Sequence, residues 1–94
     1  MNDVIAAEQA LSRERETLAV MEARLGNRSI SRKKILKMRI EIKSRFLDRL
    51  QQMLRETRDH FNTGEATTTD VARVQAMVAK QRLAILALEQ AAGR

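Results

Sequence analysis

The stretch SRKKILKMRIEIKSRFLDRLQQMLRETRDHF, residues 31–61, decides the fold of this chain. It reads as one long helix with more apolar surface than a single neighbour can cover. Leu36, Ile40, Leu47, Leu50, Leu54 and Phe61 fall on one a/d-like seam, interrupted by Lys43 and Thr57. Ile35, Met38, Ile42, Phe46 and Met53 widen that seam into a second face. A surface helix needs one apolar stripe, so a stripe this broad predicts neighbours on two sides.

Working outward, the chain supplies two such neighbours. Before Gly26, Val4, Leu11, Leu18 and Leu25 recur every seven residues, with Ala7 and Met21 beside them and Glu14 where an apolar residue is expected. Asn2 reads as the cap of this helix, Asp3 suits its positive end, and Gly26 suits the left-handed position that stops it. After Gly64, Val71, Val74, Val78, Ile85 and Leu88 repeat at helical spacing, with Gln81 as the polar interruption. Ser31 reads as the cap of the middle helix. Thr67 with Asp70 three residues on reads as a capping box, Asp standing in for Glu. Helices are predicted over about 3–25, 32–61 and 68–92 of one domain, residues 1–94. The fold class is all-α: a three-helix up-down-up bundle or antiparallel coiled coil.

Composition points the same way. The 94 residues include no Pro, Cys, Trp or Tyr, only two Phe and three Gly, too few turn formers for a sheet protein. Without cysteine there are no disulfides and no thiolate metal sites. The first residues lack a basic region followed by an apolar run, and the apolar run from Leu83 to Leu88 is far short of the ~20 residues of a membrane span. These features predict a cytoplasmic chain, unless it is cut from a longer one.

The net charge of +6 is unevenly spread. Between Arg28 and Arg45 stand Arg28, Arg32, Lys33, Lys34, Lys37, Arg39, Lys43 and Arg45 against a single acid, Glu41. This basic patch is read either as the solvated face of a helix, as a surface for an acidic protein or anionic membrane, or as a nucleic-acid contact. The scarcity of aromatic residues argues against single-strand stacking, and the long helices lack helix-turn-helix proportions.

Catalysis finds no foothold in the sequence. His60, the one histidine, stands at a helix end beside Asp59 and reads as solvated rather than catalytic. No metal-binding helix motif, phosphate loop or nucleophile elbow occurs, so no catalytic, cofactor or metal residue is predicted. The surplus lies in helix three, where fifteen of the 22 residues from Val71 to Ala92 are apolar. Leu83, Ile85, Leu86 and Leu88 cannot all point into one core, so they are predicted to meet a protein partner or a second copy of the chain.

The most specific local pattern is FNTGEATTTDVARVQAMVAKQRL, residues 61–83. Phe61, Asn62, Gly64, Thr69, Asp70, Val71 and Ala76 give it a helix-ending aromatic turn, a glycine, a threonine-rich loop, an Asp-Val pair and an alanine-rich return helix. This segment resembles the hairpin tip of outer-membrane efflux proteins of the TolC type. Residues 24–36, RLGNRSISRKKIL, are loosely similar to the hairpin tip of periplasmic adaptors of the HlyD type. The resemblance implies a tip-like contact surface around Gly64, Thr67 and Asp70, and a place in export, secretion or efflux machinery. The chain departs from those families in lacking barrel strands and in having shorter helices. Two functions follow as expectations. One is a non-enzymatic interaction module, such as an adaptor, stalk or chaperone. The alternative is a nucleic-acid-associated protein using residues 28–45.

Overall fold

The computed structural model describes residues 2–25 and 31–93. They form three helices, α1 (Asn2–Leu25), α2 (Arg32–Asn62) and α3 (Thr68–Ala92), with no strand among the described residues. The expected all-α bundle is the observed one, and its helix ends fall within a residue of the expected positions. Asn2 is itself helical rather than a cap. The turn containing Gly26, Arg28 and Ile30 lies outside the described residues.

Contacts across the helices set the topology. Glu14 meets Lys43 and Glu22 meets Arg39, so α1 and α2 run antiparallel. Gln81 meets Lys43 while Leu36 shares a groove with Ala91 and Ala92, so α3 runs antiparallel to α2 as well. α2 is therefore central. It packs most extensively on α3, less on α1, and α1 touches α3 least. The result is a thin rod of 52 × 24 × 15 Å.

The centre of the core joins Ala7 and Ala10 of α1, Phe46 and Leu50 of α2 and Val78 of α3, with Leu11, Leu47, Met53, Leu54 and Met77 packed around it. Alanines on α1 let the helix backbones approach closely around the bulkier α2 side chains. Phe61 does not join this seam and is 42% exposed. The cause is helix length. With Glu14 beside Lys43, the residues from Glu14 back to Asn2 span the same distance as those from Lys43 forward to Arg55. The last turn of α2 therefore lies past the described end of α1, and its Phe61 and Asn62 line a groove with Thr68 and Val71 of α3. Thr57, the other interruption, is fully buried and stays satisfied by donating to the Met53 carbonyl one turn back, at 2.7 Å.

Local signals end and restart the chain between α2 and α3. Gly64 adopts φ +82, the left-handed region where a side chain would be strained. Around it, the Glu65 N–H donates to His60 O at 2.8 Å and the Gly64 N–H to Phe61 O at 3.1 Å, the pair of bonds that defines a Schellman C-terminus. The His60 ring adds a side-chain clasp, its Nδ1 lying 3.0 Å from Glu65 Oε2. Three residues later Thr67 and Asp70 form the expected capping box, each side chain bonded to the other's backbone N–H at 3.1 and 2.9 Å. At the other end of α2, the Ser31 side chain accepts from the Lys34 N–H at 3.2 Å.

Candidate interaction surface

Three of the four polar interruptions meet in one layer. Glu14 of α1, Lys43 of α2 and Gln81 of α3 sit at the same level inside the bundle. Lys43 Nζ donates to Glu14 Oε1 at 2.8 Å, and Gln81 Nε2 donates to Glu14 Oε2 at 2.9 Å. The Gln81 amide also reaches the Lys43 backbone carbonyl at 3.1 Å. Both carboxylate oxygens are thus satisfied, as a buried charge requires. The Glu14 side chain is 2% exposed and that of Lys43 15%, so the ammonium keeps a path to water while the carboxylate does not. Gln81 is not the lone polar core residue its position in the seam suggests, but one corner of a triad.

This layer revises the basic patch. Lys43 belongs to the interior, and Arg39 Nε lies at ion-pair distance from Glu22, 3.0 Å, without hydrogen-bond alignment. Both leave the free cationic surface, because each faces a glutamate on α1. Arg28 falls outside the described residues. Arg32, Lys33, Lys34, Lys37 and Arg45 remain and are exposed, and no acidic residue occupies the first turn of α2.

The apolar surplus of α3 divides by face. Ile85 is buried at 7% and Leu88 is half-buried, so the inner seam takes Ile85 out of the proposed contact and Leu88 in part. Leu83 and Leu86 point away from the core, 66% and 51% exposed. On the same side stand Ala72, Ala76 and Ala79, also exposed. Positions 72, 76, 79, 83 and 86 alternate spacings of four and three, a second seven-residue repeat opposite the buried one. Counting that repeat in the sequence would have found the alanines, which the reading of single large residues passed over.

At the tip, Gly64, Thr67 and Asp70 fall in one turn as expected. Arg58, Phe61, Asn62, Thr68 and Val71 line a shallow groove beside it. The Thr67 backbone N–H, foremost, and the Thr67 hydroxyl hold the Asp70 carboxyl below the usual carboxylate range. A carboxylate whose pKa is lower folded than unfolded stabilises the fold at pH above its unfolded value. That contribution is lost as pH falls through the folded value. Asp70→Asn keeps an acceptor for the Thr67 N–H but not the charge. Its thermal midpoint should lie below that of the parent at about pH 6. The gap should close by about pH 2, and a gap constant across that range would show that the charge contributes nothing.

Among the described residues no cluster of His, Cys, Asp or Glu could hold a metal ion, and no helix is long and apolar enough to cross a membrane. No protein-family model, curated protein or solved structure matches the chain.

Proposed function

We propose that this chain is a non-enzymatic helical interaction module, an adaptor, stalk or chaperone-like element of an export, secretion or efflux assembly. The observation that carries the module reading is the outer face of α3, where Leu83 and Leu86 stand exposed at the end of a line of exposed alanines. Alanines at helical spacing let a second helix approach closely, and the two leucines supply the apolar area that such packing buries. The link to export machinery is supported by the likeness of residues 61–83 to efflux hairpin tips. A glycine-stopped helix, a threonine-rich loop and a capped return helix form a rigid tip that can present side chains to a partner.

In its simplest form the partner is a second copy of the chain. The parent should then sediment as an oligomer, and the double variant L83E/L86E as a smaller species with unchanged helical circular dichroism. A parent that sediments as a monomer at high concentration would overturn self-association. The nucleic-acid reading is less favoured, because Arg39 and Lys43 are already paired inside the protein.

A further inference from the structure

The polar layer divides the rod into two ends of different charge. Among described residues, the end beyond the layer toward Ser31 carries eight Lys/Arg against four Asp/Glu, while the tip end carries seven against seven. Two of the four acids at the Ser31 end, Glu16 and Glu41, lie back from the terminus. Glu22 faces Arg39, and Glu89 is exposed near the end of α3. The outermost turns present Arg24, Arg32, Lys33, Lys34 and Lys37, all exposed. Between α2 and α3 this end also opens a groove with basic walls, Arg32 and Lys33, and an apolar floor, Leu36, Ala91 and Ala92.

We propose that the Ser31 end of the bundle docks end-on against an anionic lipid surface, its lysines and arginines meeting the headgroups and the groove seating at the headgroup boundary. The shape of the field selects this partner. Beyond Lys37 the exposed side of α2 runs Glu41, Arg45, Asp48, Arg49, Gln52, Arg55, Glu56, Arg58, Asp59, in which acids and bases are interspersed in equal number. A nucleic acid lying along the rod would meet an excess of positive charge only at one end. The exposed cations of the outermost turns, gathered at one end, suit a planar surface instead. No aromatic side chain serves for base stacking here, since Phe46 is buried and Phe61 sits at the opposite end. Long lysine side chains over an apolar floor suit a boundary between water and hydrocarbon, where their stems lie in apolar surroundings and their heads stay wet. Such attraction is screened by salt within a Debye length. The proposal does not depend on which partner α3 takes.

Flotation with phosphatidylcholine vesicles, with and without about a third phosphatidylserine, tests it. At about 0.1 M salt the parent should float with the anionic vesicles only, and at about 0.5 M salt it should be released. K33Q/K34Q/K37Q should lose partitioning on the order of a hundredfold. R55Q/R58Q/R73Q, equal in net charge but altered at the other end, should keep most of it. Circular dichroism establishes that both variants fold, and the salt titration of the parent stands apart from either. Equal loss in the two variants would overturn the proposal in favour of net charge alone. So would absence of flotation at low salt, or a duplex oligonucleotide that strips the parent from the vesicles.

Discussion

Lys43→Met should cost about 3–5 kcal/mol of folding stability by urea titration, as removal of one member of a buried ion pair generally does. The reason lies in asymmetry. Without the ammonium, Glu14 Oε1 loses its partner while its side chain remains 2% exposed, leaving a buried charge held by the Gln81 amide alone. Glu14→Ala should cost less, because Lys43 retains some exposure and can swing its head outward. Replacing all three members with apolar residues, E14L/K43M/Q81L, should restore the stability or raise it by about 1–4 kcal/mol. A Lys43→Met cost below about 1 kcal/mol would show that Glu14 reaches solvent and that the layer contributes little.

Leu50→Ala should be comparably damaging, at about 2–5 kcal/mol. Leu50 is fully buried in the cluster formed by Ala7, Ala10, Phe46 and Val78. Ala7 and Ala10 have no side chain long enough to swing into the space, so where the loss falls in that range depends on how far Met53 and Met77 can move in. Urea titration with an unchanged denaturant slope measures it. A loss under about half a kcal/mol would place Leu50 at the surface and the core elsewhere.

What could be read from the chain was what local chemistry decides. Ser31, Gly64 and the Thr67–Asp70 pair act within a few residues of themselves, so their roles are visible in spacing alone. Glu14, Lys43 and Gln81 were visible individually as breaks in apolar seams. Their meeting depends on the register of three helices, which spacing within one helix does not contain. The same limit explains the basic patch: a run of lysines and arginines records charge but not the glutamates on α1 that face Arg39 and Lys43. Phe61 fits the seam by position, and its exposure follows from α1 being too short to cover it. Ile85 and Leu86 are adjacent in sequence yet belong to opposite faces of α3, one in the core and one in water.

The polar layer also determines which helix can lie where α1 lies. A foreign amphipathic helix with leucine at the level of Glu14 would match the apolar stripe of α2 and still press Lys43 into a site with no counter-charge. Lys43 would then have to turn its head outward to water, and the Gln81 amide would lose its carboxylate acceptor. The α1 of a second copy carries that glutamate and meets no such barrier. The layer therefore favours the α1 of an identical chain over an unrelated helix at this groove, so one ion pair serves as a mark of kinship.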